Sequence, residues 1–179
     1  ATLPHSTHRT HSNGKTEYML MALEVSIVMP SGIRIPLMTE FIENPNGEYD
    51  KQDCELKAAK RLMQRLKDKF GRLKIILLLD GLYLCEDILK TCLLNGWHLS
   101  VTVNDNAPAF LRKSEEEMAG KSAGRCTDTD SKDERTRNVL WRNGIKHKFG
   151  ETEFTLNVIK MTKDNGKRED CQVYATTIF

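Results

Sequence analysis

KQDCELKAAKRLMQRLKDKFGRLKIILLLDGLY, residues 51–83, is the stretch whose reading decides the fold class. Leu56, Ala59, Leu62, Met63, Leu66 and Phe70 recur at intervals of three and four residues, which gathers them on one stripe of a helix. Lys57, Lys60, Arg61, Gln64 and Lys67 fall on the other face. Gly71 is a natural stop, because glycine takes the left-handed conformation that ends many helices without a Cβ clash. The predicted helix therefore covers Lys51 to Phe70. Leu73–Leu79 is an apolar run of strand length, the pattern of a central strand covered on both sides. It stops on Asp80. A carboxylate at the carboxyl end of such a strand stands on the rim of the sheet, where α/β folds place their ligands.

Outward from this stretch, Glu86–Leu94 reads as a second helix closed by Asn95-Gly96, and Trp97–Val103 alternates as a strand does. Strand, helix and strand then form a parallel crossover unit. Upstream, Glu17–Met29 and Ile33–Ile42 read as a hairpin about Pro30-Ser31-Gly32, with Pro36 marking an edge position or a bulge. Asn44-Pro45-Asn46-Gly47 reads as a loop. Residues 112–138 change character, with seven basic and seven acidic side chains among small ones, and are expected to be a mobile loop. Further strand candidates follow at Asn138–Trp141 and Lys146–Phe149, about a turn at Asn143-Gly144, then at Glu153–Met161 and Gln172–Phe179. Asp164-Asn165-Gly166 is a second hairpin signal. The expected organisation is a disordered or truncated lead-in at 1–16, an α/β core at 17–111, the charged loop at 112–138 and a β-rich region at 139–179.

The chain of 179 residues, 39% hydrophobic and 29% charged, has the composition of a globular protein able to bury one core. No apolar run approaches the roughly 18 residues that span a bilayer, so no membrane role is expected. The first residues, ATLPHSTHRTHSNGK, have no apolar centre of the secretory kind. Cys54, Cys85, Cys92, Cys126 and Cys171 are odd in number and lack CxxC spacing, which fits reduced thiols in the cytoplasm better than a disulfide framework or a zinc site. A net charge of +2 confines any nucleic-acid contact to a local patch. Ala1 in place of an initiator Met, and Phe179 inside a strand-like run, are the ends expected of a piece of a longer protein.

The order of elements, together with KQDCELKAAKRL (Lys51–Leu62), LLLDGLY (Leu77–Tyr83), NGWHLSVTV (Asn95–Val103) and, more weakly, EFIEN (Glu40–Asn44), resembles the RNase H-like catalytic domain of bacterial insertion-sequence transposases of the DDE superfamily. The resemblance covers most of residues 15–110 and implies an α/β fold with a mixed sheet, flanking helices and a β-rich insertion towards the C-terminus. It also implies a chemistry. Three carboxylates hold two divalent ions, usually Mg²⁺ with Mn²⁺ as a substitute, and the ions activate water or a DNA 3′-hydroxyl for attack on a phosphodiester. Asp80 matches the second of the three carboxylates and is the candidate catalytic and metal-binding residue. The resemblance places the first aspartate upstream of Ala1 and the glutamate beyond Phe179, so this chain alone is expected to be inactive. The implied partners are double-stranded DNA, as transposon ends and target, and a second copy of the parent protein in a homodimer.

Each residue also has a plainer reading. Asp80 is suited to capping the helix that follows it. Asp53 and Glu55, two apart in a first helical turn, suit capping and the helix dipole better than chelation of one ion. His5, His8 and His11 have chelating spacing only on a helix, which the Ser, Thr and Asn around them disfavour. The face with Lys57, Lys60 and Arg61, and the cluster of Arg142, Lys146, His147 and Lys148 beside Trp141, are candidate DNA contacts or simply solvated surface. Glu115–Glu117 reads as a solvated run. Two other functions stay open: a remnant that only binds DNA or protein, and an RNase H-like nuclease without strand transfer.

Overall fold

The computed structural model describes residues 7–42, 51–105, 107–120, 122–129, 136–164 and 169–178. The loop expected at Asn44–Gly47, and His5, lie outside them, as do the side chains of Asp53 and Cys54. The architecture is mixed α/β, divided into two compact units, Ala1–Arg72 and Leu73–Phe179.

In the first unit, β1 (Thr7–Thr10) and β2 (Thr16–Met19) pair antiparallel, and β3 (Met21–Val28) pairs with β4 (Arg34–Ile42). Residues 7–16 thus form a hairpin instead of the expected disordered lead-in. Asn13 Oδ1 accepts from Lys15 N and Gly14 adopts φ 77°, so the short polar residues that argued against a helix there supply the turn. The long strand expected at Glu17–Met29 is broken at Leu20, its two parts joining different sheets. The Pro36 expectation holds: Val25 faces Met38 while Ser26 faces Pro36, leaving Leu37 as the extra residue of a β-bulge. Helix α1 (Lys51–Phe70) covers the predicted span and packs on β4. Ala59, Leu62, Met63 and Leu66 of the stripe are buried together with Ala58, Met38 and Ile42, while Leu56 and Phe70 are half-buried.

The second unit is one six-stranded sheet with the order β5-β6-β10-β9-β8-β7. Its elements are β5 (Ile76–Leu79), a 3-10 turn (Gly81–Tyr83), α2 (Glu86–Asn95), β6 (His98–Val103), α3 (Pro108–Ala119), β7 (Gly124–Thr129), β8 (Thr136–Phe149), β9 (Thr152–Asp164) and β10 (Glu169–Thr176). The crossover expected from sequence is present: β5 and β6 are parallel, Leu77 facing Leu99 and Leu79 facing Val101, with α2 between them in the chain. The other neighbours are antiparallel. Register puts Leu77, Leu99, Val101, Val173, Ala175, Val158, Leu156 and Ile145 on one face, all buried. Ile88, Leu89 and Cys92 of α2 and Phe110 and Met118 of α3 complete that core.

Four expectations are corrected here. β5 is an edge strand of its sheet, not a central one, with Ile76 54% and Leu78 64% exposed, because β10 takes the place beside β6. Residues 112–138 are not structureless: most of α3 and all of β7 lie there. Pro108 opens α3 and Phe110, Ser114 and Met118 line its buried side; the helix reads as polar because Ser114 holds a core position, its hydroxyl donating to Phe110 O. Asn143-Gly144 is a bulge within one continuous strand, not a hairpin turn. Arg142 faces Val158 and Ile145 faces Leu156, so two residues oppose Asn157 alone. Gly144 supplies φ 76°, and its N–H donates to Oδ1 of buried Asn157, which removes the need to reverse the chain. Finally, residues 139–179 are no separate insertion, since β10 pairs with β6 of the expected core and closes a single sheet.

Candidate functional site

β5 ends at Leu79, and Asp80 follows it, exposed, on the rim formed by the carboxyl ends of the two parallel strands. Asp80 takes an extended conformation and its Oδ1 accepts from Leu82 N at 2.9 Å, so it caps the 3-10 turn. Gly81 lies so close to Asn104, at the end of β6, that a Cβ there would overlap the Asn104 amide. Glycine after the aspartate is thereby explained: it lets the β5 turn seat against the β6 rim, which carries Asn104 and Asp105. Among the described residues no group of three His, Cys, Asp or Glu side chains converges to hold a metal ion. One capping carboxylate does not make the two-metal set that the resemblance implies.

The most strongly engaged carboxylates are elsewhere. Glu40 on β4 accepts from Arg61 Nε at 2.6 Å and Arg65 Nη1 at 2.7 Å. The same guanidinium groups also donate to Phe41 O and Thr39 O, fastening α1 to β4. The Arg61 hydrogen bond, followed by that of Arg65, holds the Glu40 carboxyl below its usual 4.5. Glu86, the first residue of α2, accepts from Lys90 Nζ at 2.7 Å, from Thr152 Oγ1 and from Glu151 N. Lys90 first, then Thr152, holds its carboxyl down at about 2. Both clusters are joints between elements; Lys90 lies only four residues from Glu86 on α2, while Arg61 and Arg65 reach Glu40, and Thr152 reaches Glu86, from distant segments that sequence does not connect.

The candidate DNA-contact residues separate into three situations. Arg61 is occupied by Glu40 and Phe41 O, and Arg142 by Glu117 at 3.4 Å and Ser122 O at 3.3 Å, so both work as intramolecular fasteners. Lys57 and Lys60 are exposed on α1 in the first unit. Lys146 and Lys148 are exposed on β8 in the second, where register places them on the sheet face opposite Arg142 and His147. Trp141 shares that opposite face but lies over Gly124 of β7, leaving no room for a Cβ there. His147 sits among rings, 5.2 Å from Phe110 and 4.9 Å from Phe149. Burial, with Lys113 nearby, lowers its pKa below 6.5. The five-residue cluster read from sequence is thus divided between two faces.

His8 is on β1, and His11, at the following turn, contacts Glu17 at 3.1 Å, so the described two of the three histidines share no helix. Cys92 is buried, and burial pushes its thiol up to about 11, while Cys126 and Cys171 are exposed. Glu115 meets Lys160 and Glu117 meets Arg142, so part of the acidic run faces β8 and β9 rather than solvent alone. No helix among the described residues is long and apolar enough to cross a membrane. No protein-family profile matches this chain, and no curated protein matches it either.

Proposed function

We propose that this chain is part of the catalytic domain of a DNA transposase with an RNase H-like fold, whose parent protein cuts and joins DNA phosphodiesters with Mg²⁺ or Mn²⁺. The observation that carries this reading is Asp80, exposed at the carboxyl end of β5 in a parallel β5–α2–β6 unit. The sequence LLLDGLY (Leu77–Tyr83) around it supports the same reading. Asp80 is one metal ligand in this scheme and needs two further carboxylates brought to it by other segments. The exposed Lys57, Lys60, Lys146 and Lys148 are the candidates for phosphate contact.

A second reading has its own support. The capping bond from Leu82 N accounts for Asp80 structurally, and the described residues hold no three-donor group, as in a protein that only binds DNA or another protein. One experiment separates the two. The protein in its full reading frame is incubated with plasmid and duplex ends in Mg²⁺ or Mn²⁺. Nicking and end joining that are lost on Asp80→Asn, with DNA affinity retained, support the transposase. Nicking lost without any end joining indicates an RNase H-like nuclease. Affinity without cleavage, or cleavage unaffected by Asp80→Asn, refutes the catalytic role.

A further inference from the structure

Five Asn-Gly pairs punctuate the chain, and three of them, Asn13-Gly14, Asn95-Gly96 and Asn143-Gly144, lie among the described residues. This dipeptide carries a latent reaction. The glycine nitrogen, once deprotonated by hydroxide, adds to the asparagine Cγ, and glycine has no side chain to obstruct the approach. The tetrahedral adduct expels the side-chain nitrogen as ammonia and leaves a five-membered succinimide. Water then opens one imide carbonyl to give Asp, or the other to give iso-aspartate, whose main chain runs through the former side chain. The reaction needs a glycine N–H released from its hydrogen bond and an electrophilic Cγ within reach of it.

The fold meets these needs unequally. At Asn95, the last residue of α2, the helical backbone tilts the side chain towards the start of the helix, away from Gly96 N. Gly96 N donates to Cys92 O and Leu93 O, and buried Trp97 fastens the same cap by donating from its N to Cys92 O. At Asn143, Gly144 N donates at 2.9 Å to Oδ1 of Asn157, which is 3% exposed within the six-stranded sheet and donates from its own amide to Ile178 O. Freeing either glycine nitrogen means opening part of a core. Asn13 instead lies in the turn between β1 and β2, a separate sheet of two four-residue strands. Asn13, Gly14 and Lys15 are all exposed. Gly14 N donates across this turn to His11 O at 2.9 Å, a bond that opens with local fluctuation of so small a hairpin. Lys15 N donates to Asn13 Oδ1 at 3.0 Å. That bond draws electron density from Cγ and stabilises the oxyanion of the adduct, as an oxyanion hole does. We propose that Asn13 is a self-modification site, converting to Asp and iso-aspartate in the folded chain, while the fold shields Asn95 and Asn143. Conversion puts a negative charge in the turn, and the iso-aspartate form lengthens the turn by one backbone atom. The proposal is independent of the transposase reading, because it uses the turn, the cap and the bulge alone.

Peptide mass spectrometry of the full 179-residue chain, sampled over days in mildly alkaline buffer, tests it, with iso-aspartyl peptides separated by chromatography. In the folded chain Asn13 is expected to convert roughly tenfold or more faster than Asn95 or Asn143, whose glycine nitrogens are held by covered hydrogen bonds. In strong urea the three rates should converge. Asn157→Ala removes the acceptor of Gly144 N and should accelerate Asn143 in the folded variant; if that variant does not fold, the comparison of native chain with urea still decides. Asn95 or Asn143 converting as fast as Asn13 in the folded chain, a ranking that persists unchanged in urea, or a folded Asn157→Ala chain whose Asn143 stays inert overturns the proposal.

Discussion

Replacing Glu40 by Gln removes one charge from the joint between α1 and β4 while keeping its shape. The Glu40 side chain is 15% exposed and its partners Arg61 and Arg65 are 48% and 46% exposed. Hydrogen bonds to fully buried charges contribute ~1.5–3 kcal/mol each and exposed ion pairs ~0.2–1 kcal/mol. With the acceptor covered and the donors half in water, ~0.5–1 kcal/mol per contact is the appropriate scale. The two contacts together give a loss of ~1–2 kcal/mol. In a unit of this size that lowers Tm by roughly 5–15 °C. The pH dependence has a definite sign. The Glu40 carboxyl is held below 4.5 in the folded state, so its stabilisation is present above 4.5 and is lost as pH falls through the lower folded value. Urea unfolding of the full chain, followed by circular dichroism, should show Glu40→Gln less stable than the parent at neutral pH and the gap closing in strong acid. Equal midpoints at neutral pH, or a gap that persists unchanged in acid, would refute the reasoning. Arg61→Ala should lower stability in the same assay, which separates its fastening role from any role in DNA affinity.

Three further outcomes are expected. His147 is kept neutral by burial, with Lys113 adding to the effect, so stability is full above 6.5 and declines as pH falls from there to its lower folded value; His147→Phe should flatten that decline in a pH series of thermal melts. Gly150→Ala places a side chain at φ 62° and against the Glu86 carboxylate, costing ~1–2 kcal/mol from backbone alone, which chemical denaturation will register. Under mildly alkaline native conditions iodoacetamide should modify Cys126 and leave Cys92 untouched until the chain unfolds, as mapped by peptide mass spectrometry.

The legible part of the fold was its local part. The stripe from Leu56 to Phe70 specifies α1 by periodicity, the apolar run ending at Asp80 specifies β5 by its length though not its place at the sheet edge, and Asn95-Gly96 marks the end of α2, with Gly96 at φ 66°. What escaped sequence reading depended on distant partners. Ser114 looked like surface because its hydrogen bond to Phe110 O is visible only once the helix exists. Asn143-Gly144 carries the same residues whether it turns or bulges, and Asn157, thirteen positions on, settles the matter. The place of β10 beside β6 has no local signal at all. For the site, sequence located Asp80 on an exposed rim, while the engagement of Arg61 and Arg142 by Glu40 and Glu117 required the packed elements to be seen.

The position of β10 bears on how the second unit assembles. β5 and β6 are made early and β7 to β9 later, but the strand that bridges these two groups is Glu169–Thr176. Val103 meets Val173, seventy positions further along the chain, a closure that entropy delays. A ribosome-bound chain shorter than Glu169 would hold a two-stranded parallel piece and a separate antiparallel meander, each with a raw edge. Cooperative protection from proteolysis should therefore appear abruptly, once β10 has left the exit tunnel, rather than grow strand by strand.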